Sequence, residues 1–106
     1  MQTQTMFANV GTMSKPASRA KVIKALQKLL GAKWFLRTTE EFYGKSSSGM
    51  QGIWTTNEHQ SDALDGETIY GSYTTYQTHP KVEALLSELG WFCEPHDAGT
   101  LMLWPM

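Results

Sequence analysis

An α+β domain, built as a four- or five-stranded antiparallel sheet with two helices on one face, is the fold class this sequence predicts. Two stretches carry that expectation. Residues 21–35 and 81–92 repeat Lys, Val, Ala, Leu, Leu, Gly, Trp and Phe in the same order, each a helical pattern ended by glycine and followed by aromatic residues. A second echo pairs Gly49, Ile53 and Trp54 with Gly99, Leu103 and Trp104. The strands after each helix are joined by reversals too short for a helical crossover, so they must run antiparallel. Two helices with one apolar stripe each need a sheet face to cover them. The same echoes predict a pseudo-twofold repeat of a helix-strand-strand unit, with units at about 21–54 and 81–104.

Residues 1–13 read as a flexible tail or a short edge strand, since termini are ordered only when something ties them down. Residues 14–106 read as one domain. Ser14 offers a helix cap and Pro16 suits a first turn, so the first helix is expected over 16–30. At roughly 100° per residue, Val22, Ile23, Leu26, Leu29 and Leu30 gather on one side and Lys21, Lys24 and Lys28 on the other. Gly31 ends it. The alternation in 33–39 predicts a strand with Trp34 and Leu36 on one face and Lys33, Phe35 and Arg37 on the other. Residues 40–49 suit a mobile hairpin loop, and 50–56 a second strand. A polar, acidic loop then closes with Asp65-Gly66, a strong turn dipeptide. The Tyr- and Thr-rich stretch 67–77 favours a sheet, with Tyr73 on the opposite face from Tyr70 and Tyr76. Thr78-His79-Pro80 opens a second helix whose stripe is Val82, Leu85, Leu86 and Leu89. Gly90 stops it, and 91–94 with 100–104 form a closing hairpin that Pro105 terminates.

A chain of 106 residues can bury roughly 60–70% of its unfolded surface and fold without staples or metal. Cys93 is the single cysteine, which excludes an internal disulfide and points to an intracellular, cytoplasmic setting. The apolar runs are far shorter than the ~20 residues a membrane-spanning helix needs, and no charged region with an apolar signal core opens the sequence. The net charge of −1 conceals a division: residues 1–39 carry +7 with no acid, and residues 40–106 carry −8. A one-signed block steers oppositely charged surfaces.

The lysine line of the first helix, with Lys33 and Arg37 after it, is therefore the leading candidate binding surface: Lys21, Lys24, Lys28, Lys33 and Arg37, joined by Tyr73 on an aromatic sheet face. Phosphates or an acidic protein could meet it. The order of elements superficially resembles the double-stranded RNA-binding arrangement. The second helix, opening Pro80-Lys81-Val82-Glu83, lacks that family's basic cluster, and the family is not assigned.

Cys93, His96 and Asp97 place a thiol, an imidazole and a carboxylate within five residues. Catalytic dyads are ordinarily assembled by the fold, not by one turn, and structural zinc wants four protein ligands. The simpler reading is a half-buried strand thiol beside a polar turn. Glu58, His59, Asp62, Asp65 and Glu67 lack the regular oxygen spacing of a calcium loop, and Glu40-Glu41 is a poor geometry for acid–base work. No catalytic residue, metal ligand or cofactor is expected. The expected function is a non-enzymatic, intracellular interaction protein that binds a macromolecular partner, first of all a protein, through the basic helix, an aromatic sheet face or both. Small inhibitors and adaptors of phage or plasmid type have this character. The alternatives are nucleic-acid binding through the phosphates, self-association as a homodimer, and a small enzyme using Cys93, His96 and Asp97.

Overall fold

The lead-in to the first helix is anchored at the opposite end of the chain. In this computed structural model, which describes residues 15–44, 51–70 and 78–106, the Ala17 amide donates to the Leu89 carbonyl at 2.8 Å. The buried Trp91 indole N–H donates to the Ala17 carbonyl, also at 2.8 Å. Because residue 17 is held this way, helix α1 spans Arg19–Leu30 and is capped by Ser18, whose hydroxyl accepts from the Lys21 amide. The expected start at residue 16 is thus corrected, and Pro16 lies outside the helix, against Gly90. A Cβ on Gly90 would stand 2.9 Å from the Pro16 Cα, and Gly90 has φ +77°, so glycine is required there twice over.

After α1 come strand β1 (Leu36–Thr38), a short helix α2 (Thr39–Tyr43) and strand β2 (Ile53–Thr56). A 3₁₀ turn at Asp62–Leu64 precedes helix α3 (Pro80–Glu88), strand β3 (Trp91–Pro95) and strand β4 (Thr100–Pro105). Among the described residues the sheet is four-stranded, antiparallel and ordered β1-β2-β4-β3. Helix α2 replaces the first part of the expected loop. Thr38 and Glu41 form a reciprocal capping box, the Thr38 hydroxyl accepting from the Glu41 amide and the Glu41 carboxylate accepting from the Thr38 amide at 2.8 Å. Asp65 and Gly66 both take positive φ, as the turn dipeptide requires. Residues 67–70 form no ladder. Glu67 makes a single bridge to Ser61, while Ile69 and Tyr70 are buried. The rest of the expected strand, Tyr73 and Tyr76 included, lies outside the described residues, as do the 1–13 segment and Ser14.

One core fills the space between helices and sheet. Val22, Leu26 and Leu30 of α1 and Val82 and Leu86 of α3 meet Ile53, Trp91, Leu101 and Leu103. Leu64 and Ile69, fully buried, close its end. Strand alternation assigns Leu36, Ile53, Thr55, Leu101, Leu103, Trp91 and Cys93 to the inner face, with the pairs Leu36↔Thr55, Thr55↔Leu101, Ile53↔Leu103 and Cys93↔Leu103 in register. The strand pairing does not show the internal repeat. Ile53 pairs directly with Leu103, as twofold-related positions would, but β1 takes the place of β3 with Leu36 opposite the Trp91 position, two residues from the Trp34–Trp91 match in sequence. Helix α2 also has no counterpart in the four-residue turn between β3 and β4.

Buried polar groups inside this core are paired. Trp34 donates its indole N–H to the Thr55 hydroxyl at 3.0 Å, and that hydroxyl donates to the Phe35 carbonyl at 2.6 Å. The His79 ring caps α3, its Nδ1 accepting from the Lys81 amide, and its Nε2 lies 3.2 Å from Glu67. Thr55 is completely buried, so Thr55→Val keeps the shape and strands both an indole N–H and a carbonyl. The expected cost is about 1–3 kcal/mol, read as a lower denaturant midpoint at unchanged slope; an unchanged midpoint would show that the Trp34–Thr55–Phe35 relay carries no stability.

Candidate functional site

With both long helices on the inner face, the second face of the sheet is built from the alternate residues: Arg37, Trp54, Thr56, Met102, Trp104, Phe92 and Glu94. It is strongly aromatic. Trp54 sits edge-to-face between Phe35 and Phe42, with ring centroids 4.9 Å away on each side. Phe42 comes from α2 and lays its ring against both Trp54 and His96, the latter at 5.0 Å. Tyr43, beside it, is 41% exposed. Farther along, Trp104 lies over Gly52, where a Cβ would come within 2.5 Å of its ring, and its indole donates to Glu94 at 3.1 Å. Phe92, cross-strand from Trp104, is 43% exposed. Met102, cross-strand from Trp54, points outward yet is completely buried. Beside this layer a hollow of about 270 Å³ is walled by Phe35, Trp54, Thr56, Glu58, His59 and Thr100.

The predicted basic residues are divided between two layers. Lys21, Lys24 and Lys28 are exposed along α1, on the helical side, and none makes an ion pair among the described residues. Lys33 is exposed in the turn after α1. Arg37 belongs to the aromatic face: it is cross-strand from Trp54, stands 5.6 Å over the Phe35 ring and lies 3.8 Å from Glu41. Arg19 is engaged elsewhere, donating to Glu40 at 2.8 Å and to the Gly52 carbonyl at 3.1 Å. The first two acids after the basic block thus partner two of its seven cations. Sequence reasoning did not foresee the roles of Phe42 and Glu40, because it assigned both to a loop; the Thr38-x-x-Glu41 capping signature was the available signal.

Cys93, His96 and Asp97 do not converge. Cys93 is an inner-face residue packed against the core, and burial, only partly offset by the Thr78 hydroxyl, pushes its thiol up to about 12. The His96 ring lies with Phe42 and Tyr43 on the other side of the sheet. Asp97 accepts from the Gly99 amide at 3.0 Å, which holds its carboxyl below the ordinary range and closes the β3–β4 turn. Among the described residues no three His, Cys, Asp or Glu side chains are grouped so as to hold a metal ion, and no helix is long and apolar enough to cross a bilayer. No family model, no curated protein and no solved structure matches this chain.

Two outcomes test this electrostatic picture. The Arg19 guanidinium holds Glu40 at about 2, down from 4.5. A lowered folded value means that the contribution of the pair is complete above pH 4.5 and is lost as pH falls toward 2. Glu40→Gln should therefore be less stable than the unmodified chain at neutral pH, with the gap closing through that acid window in pH-resolved denaturation; a gap that persists at pH 2 would refute the pairing as its cause. Cys93 should react with a small disulfide reagent at pH 8 at least about tenfold more slowly in the folded chain than in the unfolded one. Equal rates would mean that the thiol is accessible and ionisable.

Proposed function

We propose that this chain is a non-enzymatic, cytoplasmic interaction protein whose contact surface for another protein is the aromatic outer face of its sheet. One observation carries the reading: Phe35, Phe42, Tyr43, Trp54, Phe92 and Trp104 occupy the sheet face that the two long helices leave uncovered, with Arg37 at its border. Aromatic side chains and Arg are the residues enriched at protein contacts, where a ring offers large area at small cost in side-chain freedom. The hollow beside Trp54 suits a single inserted side chain. Such a protein acts by occupying another protein's surface, as an inhibitor or adaptor does. A second reading has its own support: the exposed lysines of α1 have no acidic partner among the described residues, which suits phosphate contacts.

Affinity capture from a cell lysate, with and without nuclease, separates the readings. Tyr43→Ser/Phe92→Ser removes exposed rings that the core does not use. A discrete protein kept after nuclease, and reduced at least about tenfold by this double variant, assigns contact to the sheet face. Loss with Lys24→Glu/Lys28→Glu instead moves the contact to α1, and capture that vanishes with nuclease replaces the protein partner by nucleic acid. Matching thermal melts of the variants exclude unfolding as the cause.

A further inference from the structure

The helical side carries a second surface of different chemistry. Between α1 and α3 runs an open groove of about 610 Å³, lined by Ala25, Lys28 and Leu29 from one helix and Ala84, Leu85 and Glu88 from the other, with Lys81 at its rim. Its floor is apolar and small-sided. Ala25 and Ala84 let another backbone approach closely, while Leu29 and Leu85, half-buried, offer flanking apolar contact. Along α1 the residues at i, i+4, i+7 and i+8 of a helix share one side, so Lys21 continues the line of Ala25, Lys28 and Leu29. The borders of the groove thus bear Lys21, Lys28 and Lys81 against the single acid Glu88. The Lys81 ammonium donates to the Ala63 carbonyl at 2.7 Å, which fixes its position without neutralising its charge.

We infer that this groove docks an acidic amphipathic helix of a partner protein, its apolar stripe on Ala25, Leu29, Ala84 and Leu85 and its flanking carboxylates on Lys21, Lys28 and Lys81. The form of the groove selects a helix: α1 and α3, of 12 and 9 residues, run for roughly 13–18 Å at 1.5 Å per residue, and about two and a half to three turns of a third helix fit alongside them. The charge selects an acidic one. It also disfavours a second copy of this chain, because a twofold contact through this face would bring together two sets of Lys21, Lys28 and Lys81 with only Glu88 of each copy to offset them. The inference rests on reading the chain as an interaction protein but not on the aromatic face, which lies on the opposite layer.

The probe is a stapled helical peptide of about five turns, with a Leu/Ala stripe flanked by Glu, compared with a peptide of identical stripe flanked by Lys. Binding is followed by fluorescence anisotropy and mapped by amide shifts in the full chain. The Glu-flanked peptide should bind at least about tenfold more tightly than its Lys-flanked counterpart, with shifts centred on Ala25, Leu29, Ala84 and Leu85. Two variants of exposed residues, Ala84→Gln to fill the floor and Lys21→Glu/Lys28→Glu to reverse the border, should each weaken it by a similar factor. Equal binding of both peptides, no binding at millimolar concentration, or shifts confined to Phe92 and Trp104 would overturn the inference. So would a dimer in sedimentation that Ala84→Gln dissociates, since the groove would then belong to a second copy. Displacement of the Glu peptide by oligonucleotide, with Ala84→Gln without effect on peptide binding, would overturn it in favour of a phosphate-binding helix face.

Discussion

A sheet covered by helices on one side has a second side that must be satisfied some other way, and that constraint organises the molecule. The apolar stripes of α1 and α3 are consumed by the inner face, where Ile53, Leu101, Leu103 and Trp91 receive them. Neither long helix covers the outer face. Among the described residues it carries rings from its own strands, from the loop before β1 and from α2. Met102, which points away from the core beside Trp54, is completely buried, so this face is not simply open to water. What the rings leave exposed, Tyr43 and Phe92 above all, is the margin that layer does not cover.

The indoles serve as orienting elements as much as apolar bulk. Trp34 reaches Thr55, Trp91 reaches Ala17 and Trp104 reaches Glu94, so each bond ties one segment to another distant in sequence or across a strand pair. Buried N–H groups that must be paired restrict which register the surrounding strands can take. The Trp91 bond has the longest reach. With Pro16 seated on Gly90 and Ala17 bonded to Leu89, it joins the entrance of α1 to the α3–β3 junction, and this places the two helices side by side.

Legibility in the sequence followed whether a signal was local and repeated. The stripe of α3, its proline at the first turn and the β3–β4 hairpin were all readable, because periodicity encodes which face a residue takes; the strand expected over 33–39 is shorter, Leu36–Thr38, with Trp34 and Phe35 in the segment before it. The start of α1 was not. Ser14 and Ser18 offer the same capping chemistry, and the choice between them is made by Leu89 and Trp91, far along the chain. Leu64 and Ile69 were missed as core because single apolar residues within polar stretches have no period to betray them. Helix α2 was hidden behind a composition of glycine and serine that begins just beyond it, although its capping box was present. The expected aromatic face was placed on Tyr73, which lies outside the described residues; the aromatic layer built by Phe35, Phe42 and Trp54 was not foreseen, since Phe42 enters through α2.

Charge shows most clearly how sequence arithmetic turns into surface. Counting residues 1–39 as +7 treats the block as one pole, yet the fold subtracts Arg19 through Glu40 and draws Arg37 toward Glu41 on the opposite side of the sheet. What remains is a line of lysines on α1, still unmixed with acids. Long-range attraction depends on that sum, whereas recognition depends on what stands beside each charge. Lys24 is exposed and does not line the groove; Lys28 borders the apolar groove shared with α3. A cation at the border of an apolar surface can be desolvated together with its partner's carboxylate and so select it, while an isolated solvated cation attracts any anion weakly. The discriminating part of the basic helix is therefore the edge where it meets α3, and the lysines farther out extend its reach without adding to its selectivity.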